Sequence, residues 1–248
     1  MRPYSAQHAF TLIELLVVIA IIGILASLSA VAISRIRVHG QVVDAQRQMH
    51  QLLNAIVEYH SDTGAYPVSD GVKGAAIASQ GDFTCGGSAL DAVFGGPGAW
   101  STNNSEIIAI LMGLERYPNT GGPTANFGHV KNTRQKRYLT ANMTGGTDSP
   151  GVGQDLVYRD PWGNPYVISI DLNYDEKCRD AFYQKSVVSR DVNAIGFYGL
   201  FNSSDTSGNS DQFEYRGGVM IWSLGPDKRA ALDHANAGAN RDNVLIWR

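Results

Sequence analysis

Hydrophobic positions divide the chain into an apolar run, an amphipathic stretch and a C-terminal part with alternating positions. The run from Leu15 to Ile33 carries no charge, and its only polar side chains are Ser27 and Ser29. A helix over this run would be roughly 28 Å long, close to the hydrocarbon thickness of a bilayer. We therefore predict a transmembrane helix at about residues 12–33.

A cleaved secretory signal is the alternative explanation of this run. Ala30-Val31-Ala32 is similar to the small-residue cleavage site of such signals. However, the run exceeds the roughly 7–15 apolar residues usual in a signal peptide, and an acid, Glu14, stands at its start. These two features favour an anchor that remains part of the chain.

The stretch after the run has the spacing of an amphipathic helix. Apolar and aromatic positions recur there at intervals of three and four residues: Met49, Leu52, Leu53, Ile56 and His60. The pattern predicts one helix from about Thr11 to Tyr59, with Gly64 and Pro67 as its stop signal. Its second half would place an apolar face on a globular head.

Strands are predicted towards the C-terminus. Tyr166, Ile168, Ile170 and Leu172 alternate with other side chains, which is typical of a half-buried strand. Further strands are predicted within residues 194–201, 213–224 and 243–247. Short, locally connected strands favour an antiparallel sheet that packs on the outer half of the long helix, which gives an α+β fold.

Residues 68–157 are rich in Gly, Ser, Thr and Asn and are the least regular part of the chain. Asn103 and Glu106 have the spacing of a capping box, so we predict a helix over Asn104–Glu115. We expect the whole segment to form an accessory lobe.

Composition and charge narrow the classes of function. Charged residues make up 17% of the 248 residues, below the roughly 25% of typical soluble domains, and hydrophobic residues make up 44%. A net charge of −3 argues against a protein that coats nucleic acid. Lys131, Arg134, Lys136 and Arg137 form a basic cluster, which we interpret as a solvated face, so a nucleic-acid partner is not expected. Motifs of hydrolases, phosphate-binding loops, zinc peptidases and dinucleotide-binding enzymes are missing from the sequence, so we predict no enzymatic activity.

Glu14 is an unusual residue at the start of an apolar helix. A carboxylate at the bilayer centre costs about 2.5–3.5 kcal/mol, so its presence needs a reason. Either it lies near the interface and reaches water, or it pairs with a cation. If the chain were cut between Ala9 and Phe10, the new amine would be a candidate partner on a neighbouring subunit.

The segment His8–Leu16 resembles the processing site of type IV prepilins and type II secretion pseudopilins. The resemblance implies that a prepilin peptidase removes the leader 1–9 and methylates Phe10, and that Glu14 serves in subunit assembly. Ala9 stands before the expected cut, where the family usually has Gly. Residues 10–60 would be the long helix, and residues 61–248 the head, with the segment 68–157 as an insertion.

A second family mark is the run Asp160, Pro161, Trp162, Gly163, Asn164, Pro165 and Tyr166, which resembles a DPWGNPY segment of major pseudopilins. Asp160 can accept backbone N–H groups, Pro161 fixes φ, and Gly163 tolerates positive φ. We interpret this run as a structural turn with Trp162 as a packing anchor.

A third mark follows Trp222 and resembles the calcium loop of major pseudopilins. Asp227 and Asp242 would supply carboxylates, and Leu224 and Val244 main-chain carbonyls, to an ion that prefers six to eight oxygens. The resemblance thus makes calcium a candidate cofactor at this loop. Asp171–Glu176 and the loop of Asp205, Asn209 and Asp211 are weaker candidates, which we interpret as turns. Whether Cys85 and Cys178 pair is left open by the sequence.

The resemblance implies a structural subunit of a type II secretion pseudopilus. Its expected partners are copies of itself, other pseudopilins, the prepilin peptidase, the inner-membrane secretion platform and membrane lipid. Its expected location is the inner membrane, crossed once, with the head in the periplasm. Alternatives are a type IV pilin for adhesion, motility or DNA uptake, and a membrane-tethered binding module or hydrolase.

Overall fold

The computed structural model describes residues 11–79 and 81–248. The chain falls into two compact units, one ending at Gln41 and one spanning Val42–Arg248. The helices are α1 (Leu12–Thr63), α2 (Asp70–Ser79), α3 (Asp91–Phe94), α4 (Ser105–Met112) and α5 (Ser186–Ser189). The strands are β1 (Phe83–Cys85), β2 (Gly151–Val152), β3 (Tyr158–Arg159), β4 (Val167–Ile170), β5 (Lys177–Cys178), β6 (Arg190–Val192), β7 (Ile195–Gly196), β8 (Tyr215–Arg216), β9 (Val219–Ser223) and β10 (Val244–Leu245).

The long helix α1 is continuous past Gly40 and ends four residues beyond the predicted Tyr59. Gly64 has φ of 70° and donates its N–H to the carbonyl of His60 at 2.8 Å, which is a left-handed helix cap. In the first unit, large apolar side chains from Leu12 to Leu25 are exposed. Among the described residues, no helix is both long enough and apolar enough to cross a membrane, so the span at 12–33 stays a prediction.

The second unit is built around a four-stranded antiparallel sheet in the order β1-β4-β9-β10. One face joins the apolar side of α1 in a single core cluster, to which Met49, Leu52 and Ile56 contribute from the helix. Ile168, Ile170 and Ile221 contribute to that cluster from the sheet. The α+β class and the packing of the sheet on the outer half of the helix agree with the expected pilin-like fold.

The prediction of a half-buried strand is wrong for β4. Its other face carries Val167 and Ser169, and both are fully buried. A second apolar layer covers this face, with Phe182, Tyr183 and Phe213 packed in the same cluster as Val167 and Trp222. The alternation of hydrophobic positions therefore identified the strand. However, a later segment of the chain buries the face of the strand that was expected to meet water.

The segment 68–157 contributes directly to this core instead of standing apart as a lobe. Its strand β1 forms the edge of the sheet beside β4, and the side chains of Ile107 to Met112 in α4 are buried. The predicted capping box does not form, because the Glu106 carboxylate accepts the N–H of Ser69. Gly113 ends α4 in a left-handed conformation, so the helix is shorter than predicted.

Asn104 shows why α4 lies against the sheet. Its side chain is fully buried and accepts the N–H of Tyr158 at 2.8 Å. Its amide donates to the carbonyls of Tyr158 and Tyr166 at 3.0 and 2.9 Å. One side-chain amide thus satisfies three backbone groups, two of Tyr158 on β3 and one of Tyr166 just before β4. These backbone groups would be costly to bury without partners.

Candidate functional site

Of the predicted processing and assembly residues, the structure describes Glu14, which lies in the first turn of α1. Ala9 and Phe10 are outside the described residues. Glu14 accepts two hydrogen bonds from Thr11, one from its N–H at 2.8 Å and one from its hydroxyl at 2.7 Å, and the Glu14 N–H points back to the Thr11 hydroxyl at 3.3 Å. This reciprocal capping box stabilises the first turn. The Thr-x-x-Glu spacing could have predicted it, but sequence reasoning missed it.

The turn at residues 160–166 is organised by one buried carboxylate. Asp160 Oδ1 accepts the N–H groups of Trp162 and Asn164 at 2.9 and 2.8 Å, and its Oδ2 accepts the Asn164 amide at 3.0 Å. Gly163 takes the predicted positive φ, at 90°. Burial raises the pKa of Asp160, and the hydrogen bonds of Ser223 and Asn164 oppose that rise.

Hydrogen bonds join the two segments that resemble major pseudopilins, the turn at residues 160–166 and the loop after Trp222. The Ser223 hydroxyl donates to Asp160 Oδ2 at 2.5 Å, and the Asn164 amide donates to the carbonyl of Gly225 at 3.2 Å. Gly225 in turn donates its N–H to the Ser223 hydroxyl at 3.0 Å. Ser223 therefore links two motifs that are far apart in sequence, a role that neither motif predicted alone.

The candidate calcium residues are partly brought together. The Asp227 N–H donates to Asp242 Oδ2 at 3.3 Å, while Leu224 follows β9 and Val244 begins β10. Burial, together with the nearby charge of Asp227, raises the pKa of Asp242. Within residues 11–79 and 81–248, no group of three or more His, Cys, Asp or Glu could hold a metal. The loop thus offers two neighbouring carboxylates and no third acid at that position.

Comparison with known proteins finds similarity over part of the chain. The model of the prokaryotic N-terminal methylation motif matches residues 4–30. Fimbrial protein EcpC of Eikenella corrodens is 38% identical over 79 residues, 32% of this chain and 52% of that protein. Type IV major pilin protein PilE of Neisseria gonorrhoeae is 37% identical over 76 residues, 31% of this chain and 46% of that protein. The chain therefore carries a prepilin-type methylation motif and is similar to type IV pilins over about a third of its length.

The similarity to these relatives covers only part of each protein. The chain spans about half the length of the curated relatives it matches. Those relatives are named as a fimbrial protein and a type IV major pilin. No solved structure matches the chain.

The basic cluster of this pilin-like protein lies against acids at the end of α1. Lys136 contacts Glu58 and Asp62, each at 2.8 Å, and Arg134 lies 3.6 Å from Asp62. Lys131 pairs with Asp70 at 2.7 Å. The hydrogen bond from Lys136 lowers the pKa of Asp62. These ion pairs hold the basic cluster against the C-terminal end of α1 and the start of α2.

The two cysteines are free and buried. Cys85 belongs to the core cluster on the helix side of the sheet, and Cys178 belongs to the cluster on the opposite side. Burial raises the pKa of both thiols, which makes them unreactive. The question left open by the sequence is therefore answered: the sheet separates the pair.

The two weaker loop candidates are turns, as expected. Asp171 accepts the N–H groups of Tyr174 and Glu176, at 2.6 and 2.9 Å. Asp205 accepts those of Ser207, Asn209 and Ser210, at 2.8 to 3.0 Å. In both loops the carboxylate replaces the backbone pairing that a regular element would supply.

Proposed function

We propose that this pilin-like protein is a structural subunit of a type II secretion pseudopilus. The observation that carries the proposal is the Asp160–Ser223 bond, because it joins the two segments that resemble major pseudopilins. A type IV pilin for adhesion, motility or DNA uptake is the second candidate, and it is favoured by the fimbrial names of the relatives.

The proposed mechanism is mechanical. A prepilin peptidase removes residues 1–9, and the apolar part of α1 holds the subunit in the inner membrane with its head in the periplasm. The same apolar side chains, exposed along α1 from Leu12 to Leu25, then pack against neighbouring copies in a helical filament. In that apolar setting the Glu14 carboxylate pairs with the Phe10 amine of a neighbour, since an unpaired charge there is costly.

A deletion strain distinguishes secretion from piliation. Under the pseudopilus proposal, cells without this chain retain exported enzymes in the periplasm, while surface pili and twitching motility are unchanged. Loss of pili with normal secretion would instead establish the pilin. Complementation with the intact chain is the control.

Removal of residues 1–33 tests the third class, a tethered binding module or hydrolase. An assembly subunit loses its function without the anchor, so secretion should fail as in the deletion strain. A truncated chain that is exported by a separate signal and restores the phenotype would contradict assembly through α1.

Calcium is proposed only at the loop of Asp227 and Asp242. Their carboxylates repel each other, and neither forms an ion pair within the described part of the chain, so a bound cation would relieve the repulsion. We expect millimolar calcium to raise the melting temperature of the full chain in detergent micelles. The increase should disappear in Asp242→Asn and persist in Asp191→Asn, an exposed acid elsewhere. If calcium leaves the melting temperature of the unaltered chain unchanged, the proposed calcium site is wrong.

A further inference from the structure

A cavity of about 540 Å³ opens beside the C-terminal end of α1, and none of its lining residues is among those proposed for assembly. Three of the side chains around it are aromatic: His60, Tyr66 and Tyr174. Their ring planes are inclined to one another by only 19° to 30°, with centroids 4.4 to 6.1 Å apart. Tyr174 is 51% exposed, so a large apolar ring faces solvent here. The cavity thus has flat aromatic surfaces on which a planar group can stack.

The backbone holds Tyr174 in place at a conformational cost. Tyr174 and Glu176 both have positive φ, at 60° and 63°, which non-glycine residues rarely adopt. Both oxygens of Asp171 are used to accept their N–H groups. Gly218 completes the wall, because a Cβ there would lie 2.1 Å from the Tyr66 hydroxyl. The backbone that carries the exposed ring is therefore held by hydrogen bonds before any ligand arrives.

The charges around these rings are mostly negative. Asp171, Asp175 and Glu176 lie in one turn, and Glu176 is exposed and forms no ion pair with any described residue. Arg216 is the one cation on the cavity wall that the structure describes, and its guanidinium lies over the Phe201 ring at 4.7 Å. Lys177 contacts Glu214 instead of these acids. A cation is thus the ligand that this charge pattern attracts.

The geometry points to a binding site for the guanidinium group of an arginine side chain on a partner polypeptide. A guanidinium is planar, so it stacks on the exposed face of Tyr174 while its N–H groups reach the Glu176 carboxylate. An ammonium group is compact and strongly hydrated, and would use the flat surface less well. No residue that lines this site belongs to the segment proposed for assembly, so variants at the site can be tested separately from filament formation.

The test measures binding of a fluorescent tetra-arginine peptide to the full chain in detergent micelles at low salt. We expect tighter binding of tetra-arginine than of tetra-lysine, and no binding of tetra-glutamate. Tyr174→Asn removes the ring but tolerates positive φ, and should weaken binding about two- to five-fold. Glu176→Gln should weaken it by a similar factor, whereas Tyr174→Phe should bind as the unaltered chain does.

Asp191→Asn, an exposed acid on β6, is the matched charge control. Its affinity for tetra-arginine should be unchanged. Equal losses in Asp191→Asn and Glu176→Gln would mean that the peptide responds only to overall charge, and would overturn the site. Unchanged affinity in Tyr174→Asn, or equal affinity for the arginine and lysine peptides, would overturn the guanidinium assignment. Thermal unfolding of each variant shows that the comparison is made between folded chains.

Discussion

The Ser223 hydroxyl and the Asp160 carboxylate form a 2.5 Å hydrogen bond across 63 residues of sequence, and both side chains are fully buried. The bond fastens the turn before β4 to the end of β9. It also supplies one of the donors that a buried carboxylate requires.

Removing this donor should destabilise the head. Ser223→Ala leaves Asp160 Oδ2 with one donor fewer and frees the N–H of Gly225, so we expect a loss of about 1–3 kcal/mol in the free energy of unfolding. Chemical denaturation of the full chain in detergent measures it. Ser149→Ala, at an exposed serine, should change little. Equal stability of the two variants would contradict the proposed role of the bond.

Gly225 should be irreplaceable for steric reasons. It has φ of 69°, and a Cβ would lie 2.2 Å from the carbonyl oxygen of Asp242. We therefore expect Gly225→Ala to cost more than about 1 kcal/mol, the usual cost of a left-handed residue. Gly145→Ala is the control, since nothing lies within 4 Å of its Cβ position. If the melting curves of the two variants coincide, the loop around Gly225 accommodates a Cβ without a cost in stability.

The capping box of Thr11 and Glu14 allows two roles of Glu14 to be separated. Thr11→Ala removes the cap and keeps the charge, while Glu14→Gln removes the charge and keeps much of the shape. If Glu14 pairs with a neighbouring amine, Glu14→Gln should abolish assembly and Thr11→Ala should reduce it only slightly. Assembly is measured by cross-linking and electron microscopy. Identical defects in the two variants would assign Glu14 to helix capping alone.

Asp82 should make stability depend on pH. Burial raises its pKa to about 7, and the charge of Asp171 adds to the increase. Because the folded-state pKa lies above the unfolded one, the folded chain binds more protons between about pH 4 and 7. The associated stability is complete below pH 4 and is lost as pH rises through 7.

The variant Asp82→Asn isolates this contribution. Its stability relative to the unaltered chain should increase from pH 4 to pH 7 by about 3 kcal/mol, because the unaltered carboxyl becomes charged and each unit between its unfolded and folded pKa is worth about 1.4 kcal/mol. Denaturation curves at several pH values measure the difference. Asp191→Asn serves as the control, with a difference that does not vary with pH. A constant difference for Asp82→Asn as well would show that Asp82 titrates normally in the folded chain.

Local sequence determined the elements whose signals are contained within one segment. The spacing of Met49, Leu52 and Ile56 identified the buried side of α1, and Gly64 is the predicted stop signal, although the helix continues four residues beyond the predicted Tyr59. Alternation identified β4, and the Asp-Pro and Gly residues of the 160–166 turn predicted its geometry. These predictions succeeded because helix periodicity, strand alternation and turn chemistry depend on residues a few positions apart.

Only the tertiary structure decided which segments meet. Val167 and Ser169 are buried because residues 178–213 cover them, Cys85 and Cys178 are kept apart by the sheet, and Glu106 bonds to Ser69 instead of capping its own helix. Ser223 and the Tyr174 cavity likewise depend on contacts between distant parts of the chain. Long-range pairing is set by how all apolar surfaces are buried at once and all buried polar groups are satisfied, and no local pattern contains that information.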